Sequence, residues 1–575
     1  MKRTAYASLI VLLLAVTAIP GAVPISGQRA AQAVSSDAAH HSNIHLLSKP
    51  CQEAAVKSSA VSKQLQSLGS RPSARELNAL GAAYAENHRP DCAIPLFEEA
   101  IRLDPSLWKL QYNLSLALAD QGNDDEAAGH LRAILQDHPN FAAATLSLAK
   151  VLIQQGRYAA AVYYLRKSLS YSPQPPLSQS LHEQLAFAYF GLKDYGSAAS
   201  LLSELAAAQP DSATYHFELA NAFAHEQEFA KAASEYRQTL KADPGNDSAR
   251  LSLAKVLLGL NQVSAAVPVL IPYVSREVDD PKGYELLGEA YRKLGKYSQA
   301  APLLERAVKM DPQSYAAHFN LGFCLARLDD TRAATEQLRE AIRLNADDSA
   351  AIYELGILLS KTDPHAAAED FKELQRVKQQ QADALATGAF NQQAGELLKE
   401  GKPRKAADLY RRAVQLNPTD ARLHYNLSLA LLDLYDYKDG QEELRRAVEL
   451  QPNLAEAHNR LGMLLLRGGR TADAEQEFRT ALQLSPHFVE AENNLGVLEG
   501  KQGKYSEAVG LFEAATLDDP EYAEAYLNWG LILASQSHYA RALEKIQDAL
   551  RLSPQNSTAR AALHMIQQKR AAVAH

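Results

Sequence analysis

The sequence is short of the residues and motifs on which enzymes and disulfide-built folds rest. Three cysteines in 575 residues cannot frame a fold of this length. There is no His-Glu-x-x-His zinc pair, no glycine-rich phosphate loop closed by Lys-Ser/Thr, and no Gly-x-Ser-x-Gly elbow. A histidine group at His40, His41 and His45 has no carboxylate or thiol set to complete a metal site, so it reads as part of a solvated linker. No metal and no cofactor is expected. Net charge is small as well, with 59 Lys and Arg against 67 Asp and Glu leaving −8. A nucleic-acid partner calls for a basic face, and so does adhesion to an anionic membrane; the balance argues against both.

What the sequence has instead is a period. Pro418, Pro452, Pro486, Pro520 and Pro554 stand 34 residues apart, and between them the same order of residue types returns. NRLGMLLLRGGRTADAEQEFRTALQLSP and NNLGVLEGKQGKYSEAVGLFEAATLDDP show it: a Leu-Gly pair, a central Gly, an Ala, a large apolar residue four later, a second Ala, then Pro. A period in this range marks a stacked array of supersecondary units. Such an array also accommodates a chain too long for one core, because each unit shares a core only with its neighbours. The Ala-rich and Leu-rich composition, with 28 Gly and 25 Pro, suits helices joined by short turns.

These units resemble tetratricopeptide repeats, helix-turn-helix modules with small and large apolar residues at eight fixed places. The first carries Leu77, Leu80, Gly81, Tyr84, Ala93, Phe97, Ala100 and Pro105. The resemblance implies an all-α fold, an α-solenoid forming a right-handed superhelix of about fourteen repeats in two arrays. Residues 74–374 hold nine repeats, 375–386 form a connecting helix, 387–554 hold five, and 555–575 form a C-terminal capping helix. The pattern loosens at Gln174-Pro175-Pro176, at Val278 where a proline is due, and at the glutamine-rich stretch from Gln375. Gly at the eighth place, as at Gly462 and Gly496, lets the two helices of a hairpin approach closely. Phe478 and Phe512 are expected to fill the space between adjacent hairpins, and each proline ends the second helix by excluding its predecessor from the α region.

Ahead of the repeats, Lys2 and Arg3 precede an apolar stretch from Leu9 to Ile19 and then small residues, the layout of an export signal. Ala31-Gln32-Ala33 gives the best cleavage match, so residues 1–33 are expected to be removed and the protein to be periplasmic or extracellular. The alternative is an uncleaved membrane anchor, since the run from Ala5 to Ile25 is uncharged, but Pro20, Gly21 and Pro24 interrupt it. No membrane span is expected in the mature chain. Residues 34–73 read as a linker and an N-terminal capping helix from Gln52 to Leu68. Export permits one bridge. Cys51 begins that helix and Cys92 heads the second helix of the first repeat, so the two meet if the cap packs on that repeat; unpaired thiols are the other reading. Cys324 reads as a small buried residue.

The resemblance further implies that the first helix of each hairpin lines a concave face that holds extended peptide segments. The place that precedes the Leu of the Leu-Gly pair, the sixth of the repeat, is asparagine in five units, Asn113, Asn320, Asn426, Asn494 and Asn528, although Ser115, Ser428 and Trp529 vary the pair itself in three of them. In relatives with this pattern such asparagines form a ladder gripping peptide main chain, for which a carboxamide supplies both donor and acceptor. Arg460 interrupts the series. Asn459 and Asn493 stand one place earlier, and Arg467 and Lys501 about two turns later, where they can meet a carboxylate or a chain terminus. His318, His424 and His458 share the fourth place of their repeats and read as packing residues. The expected function is therefore a non-catalytic scaffold that binds a protein or peptide partner. A structural subunit of an envelope secretion or polysaccharide-export assembly, and an enzyme with an unrecognised site, remain as alternatives.

Overall fold

The structure, a computed structural model, describes residues 47–68, 72–276 and 279–574. The expected signal at 1–33, the histidines of the linker and Val278 lie outside these residues. Among the described residues there are thirty helices and no strand. None of these helices is long and apolar enough to cross a membrane. The chain divides into two compact units, one ending at Asp194 and one beginning at Tyr195, and each is a stack of antiparallel helix pairs of the α-solenoid kind. The stretch 375–386 lies inside the second unit. It is the middle of a continuous helix, Pro364–Lys399, that pairs with Ser349–Leu359 before it and with Pro403–Leu416 after it.

One packing device repeats through both units. A Cβ built on Gly462 would stand 2.8 Å from the Phe478 ring, and one on Gly496 2.8 Å from Phe512. Phe97 fills the same space over Gly81, Leu304 over Gly288, Leu338 over Gly322 and Ile546 over Gly530. All six large side chains are essentially without solvent exposure. The large residue therefore wedges against the first helix of its own hairpin, where the sequence pattern placed it between neighbours. The reason is directional: it sits four residues after an Ala that already faces that helix, so both share one stripe.

The turns follow from backbone preference. The residue before each ruling proline is held extended, with φ −137° and ψ 85° at Gln451 and φ −138° and ψ 91° at Ser485, as the proline ring demands. In the hairpins of the second unit's carboxyl half the residue seven places after the eighth has positive φ: Gly469 (76°) and Gly503 (80°), but also Tyr435 (63°) and Ser537 (62°), whereas Asp363, in the shortened turn after Gly356, has φ −145°. At the amino end the expected single cap from Gln52 to Leu68 is two helices, Lys49–Lys57 and Ser59–Ser67. Ser58 breaks it with an extended backbone, and its hydroxyl accepts the Val61 amide of the new helix. Cys51 and Cys92 are joined by a disulfide with Cα atoms 5.6 Å apart, and the buried Tyr84 hydroxyl donates to the Cys51 carbonyl at 2.8 Å. The cap is thus tied covalently and by hydrogen bond to the first hairpin. Cys324 is buried and free, and burial pushes its thiol up to about 11.

Two outcomes are expected. Gly496→Val should destabilise the array by about 1–3 kcal/mol through overpacking against Phe512, whereas Gly510→Ala, with open space around it, should stabilise its helix by about 1 kcal/mol; urea unfolding of the two variants separates these signs. Cys51 and Cys92 should resist alkylation until reductant is added, and their bridge, spanning 41 residues, is worth about 4 kcal/mol by loop-closure entropy. Alkylation of either without reductant in the native protein contradicts the bridge.

Candidate functional site

Successive first helices touch one another directly as well as their own second helices, which makes theirs the inner face of each stack. A repeated polar joint lies along it. Asn113 donates an amide N–H to Asn78 Oδ1 at 2.7 Å, and Asn426 to Asn391, Asn494 to Asn459 and Asn528 to Asn493, each at 2.9 Å. Every pair is 35 residues apart, one more than the period, so the asparagine at the fifth place of one hairpin accepts from the sixth place of the next. Asn459 and Asn493 are 4% and 3% exposed. They are interior members of these joints and do not present themselves to a groove, which corrects their placement among the groove residues. The joint is satisfied because an amide carries both a donor and an acceptor.

Two positions outside the asparagine series keep the joint with other chemistry. Tyr112 approaches the Ser147 hydroxyl at 3.4 Å, and burial pushes the Tyr112 phenol up to about 12. Arg460 faces the Tyr425 hydroxyl, whose pKa burial raises while the guanidinium pulls it back. Asn320 lacks the joint. Glu285 stands where its asparagine partner would be, and the Asn320 Oδ1 is buried without a hydrogen bond.

In the second unit the same face opens into a cleft between the hairpins of 421–450, 455–484 and 489–518. Arg460, Arg467 and Lys501 line it, together with Asn494. Leu432, Tyr437, Met463, Leu464, Leu466 and Val497 make its apolar wall and Phe478 its floor; none of the lining residues is acidic. Arg467 stacks on Tyr437 at 3.9 Å, which fixes the guanidinium plane while leaving its N–H groups available. Lys501 is distinct from Lys504 three residues on, which is held at 2.8 Å by the buried Glu499, itself also paired with Arg479 at 2.7 Å. No ion pair among the described residues holds Arg467 or Lys501 on the inner face, whereas Arg460 is engaged by Tyr425 and the cations behind the face are neutralised. Met463 is 39% exposed and large.

Of the residues singled out from the sequence, Arg467, Asn494 and Lys501 come together in this cleft. Asn426 and Asn528 belong to joints on either side, and Asn113 and Asn320 lie elsewhere. Sequence reasoning missed Arg460, treated as an interruption, and the apolar wall. The signal was present, since Met463 and Val497 each follow a Leu-Gly pair directly. The place where metal-ligand types converge among the described residues is Cys51, Asp91 and Cys92, but the two sulfurs are bonded to each other and offer no thiolate.

Comparison with known proteins adds the following. Residues 391–439, 429–487 and 493–557 match the sequence model of the tetratricopeptide repeat, and residues 109–355 that of the C-terminal domain of cilia and flagella-associated protein 70. A peroxisomal targeting signal receptor of Saccharomyces cerevisiae is 38% identical over 61 residues, 11% of this chain, and the chain spans only 10% of that receptor. Among solved structures, the crystal structure of MamA protein is 20% identical with a TM-score of 0.26, covering 30% of this chain and 94% of that one. A MamA fragment from Desulfovibrio magneticus RS-1 is 19% identical with a TM-score of 0.27, covering 30% and 97%.

The joints predict a specific coupling. Asn528→Ala strands the Asn493 carbonyl in the interior and should cost about 1–3 kcal/mol, whereas replacing both residues with leucine should recover most of that loss. A double-variant cycle read by urea unfolding checks it; additive losses rule the joint out as a bonded unit.

Proposed function

Because this chain belongs to the tetratricopeptide-repeat family, whose repeats serve as protein-interaction scaffolds, we propose that it captures an extended segment of a partner protein in the cleft between residues 432 and 501. The observation that carries this reading is the meeting of Arg460, Arg467 and Lys501 with a partly exposed apolar wall and no acidic lining residue. Such a surface suits a segment that combines an apolar side chain with a carboxylate. Asn494 contributes through its carbonyl oxygen, since its amide already bonds Asn459. A main-chain N–H of the segment is the natural donor to it. No catalytic role enters this reading, because the cleft residues supply shape and charge without a paired base and nucleophile.

We also place the protein outside the cytoplasm. The charged and apolar layout of its first residues supports this, and so does the Cys51–Cys92 bridge, which an oxidising compartment maintains.

A photoreactive residue at position 463 should crosslink to a polypeptide in cells, and the adduct should fractionate with exported protein. Arg467→Glu combined with Lys501→Glu should abolish the adduct, and rising salt should weaken it. The same probe at position 513, exposed on a second helix, serves as the control. Equal labelling from 463 and 513, or an adduct indifferent to charge reversal, sinks the cleft as the site; recovery with the cytosol sinks the export.

A further inference from the structure

Every cleft residue on Ala455–Arg467 depends on how that helix is held, and one histidine ties it on two sides. His458 is buried, with 7% exposure. Its Nδ1 lies 2.6 Å from Glu477 Oε2 on the second helix of the hairpin, and its Nε2 lies 2.9 Å from the Pro452 carbonyl oxygen in the turn that enters it. A carbonyl can only accept. An ionised carboxylate can only accept. A neutral imidazole has one N–H and can satisfy one of them.

We infer that His458 is a positioning residue for the cleft, holding its first-helix wall as an imidazolium clamped between Glu477 and the Pro452 carbonyl. This rests on the cleft being the binding site, and it adds to that reading a proton as the agent that fixes the site. Arg460, Met463, Leu464 and Arg467 all project from the helix that His458 anchors, and Glu477 immediately precedes Phe478, the cleft floor. The clamp therefore joins the two helices that shape the cleft to the turn that leads into them.

The geometry recurs, which separates it from accident. His424 meets Glu443 at 2.6 Å and the Pro418 carbonyl at 3.0 Å; His216 meets Glu235 at 2.6 Å and the Pro210 carbonyl at 2.9 Å. At His318 a glutamine, Gln337, replaces the glutamate at 2.7 Å, with the Pro312 carbonyl at 3.1 Å. That hairpin shows that an amide preserves the shape of the clamp without its charge.

The charges around His458 come from several elements. Glu477 is the carboxylate in contact with it. Glu477 shares a recess with Arg445 and Glu449 of the preceding hairpin and with Arg470 and Asp473 at the head of its own helix. Arg470 pairs with Asp473 at 2.6 Å and Glu449 with Arg446 at 3.2 Å, which leaves Glu477 free to serve the imidazole. Glu456 and Arg460 lie on the histidine's own helix, and the following hairpin contributes the neutral Asn494 amide, on Asn459. The bond from Glu477 holds the imidazole pKa above its ordinary value, with the Pro452 carbonyl acting the same way and burial opposing both. Because the folded value lies above the unfolded one, about 6.5, the clamp contributes in full below that pH and is lost as pH rises through the folded value.

Hydrogen exchange of 455–467 in the full-length protein, corrected for the intrinsic pH dependence of exchange, tests this between pH 6 and 9. Protection in the wild type should fall with rising pH, by about tenfold for each unit by which folding raises the imidazole pKa. His458→Gln should be less protected at pH 6 and flat across the range. Glu477→Gln should keep its helical circular dichroism, as the Gln337 hairpin does its fold, while its loss of protection moves to lower pH. A wild-type profile as flat as that of His458→Gln, or a Glu477→Gln profile that does not move, overturns the clamp and leaves His458 a neutral packing residue. Photocrosslinking from position 463 is read separately: its failure with the pH profile intact removes the binding site and leaves the clamp standing.

Discussion

The close approach of two helices within each hairpin is the constraint on which the rest of this structure depends. Neither helix can bury its apolar stripe alone, and the stripe of one is completed by a large side chain that only a missing side chain on the other can admit. Phe478 over Gly462 and Phe512 over Gly496 are two cases of one solution. Once this distance is set, the left-handed turn residue at Gly469 or Gly503 and the extended residue before each proline fix how soon the next hairpin begins. Repetition of the hairpin then produces the stack without any core larger than its neighbours require.

Cohesion between hairpins is divided between the apolar interior and polar bonds on the inner face. Asn459 to Asn494 and Asn493 to Asn528 are short, buried on the accepting side and repeated in register. Arg460 with Tyr425 keeps the same joint where asparagine is missing. The face that could receive a partner is thus also the face that sews the repeats together. Residues left over from the sewing, Arg467, Lys501 and the apolar wall around Met463, are the ones on which the proposed capture rests.

Much of this was legible in the residues. The 34-residue spacing of Pro418 to Pro554 gave the hairpin, its two helices and the ends of both, because periodicity and proline geometry act within a few residues. Arg467, Asn494 and Lys501 were legible as candidates because they stand at equivalent places on first helices. The apolar wall was overlooked, though Met463 and Val497 follow the Leu-Gly pair, since an apolar residue in an apolar repeat carries no contrast. Arg460 reads as an interruption in the sequence because its partner, Tyr425, belongs to the preceding unit and is seen only when the hairpins are stacked.

By itself the sequence determined the class of fold, the boundaries of its repeats and the side of the hairpin on which polar residues recur. Those properties are set by local backbone preference and by a period that each helix reads on its own. Only the tertiary structure decided what the polar residues do. An amide at the sixth place reaches the fifth place of the preceding hairpin because stacking offsets neighbouring first helices by one residue, and this engages the N–H donors of Asn494 and Asn528 in bonds between repeats. The same holds for His458, whose Glu477 lies 19 residues ahead and whose carbonyl partner lies six behind, a spacing whose convergence on one ring only the folded hairpin displays.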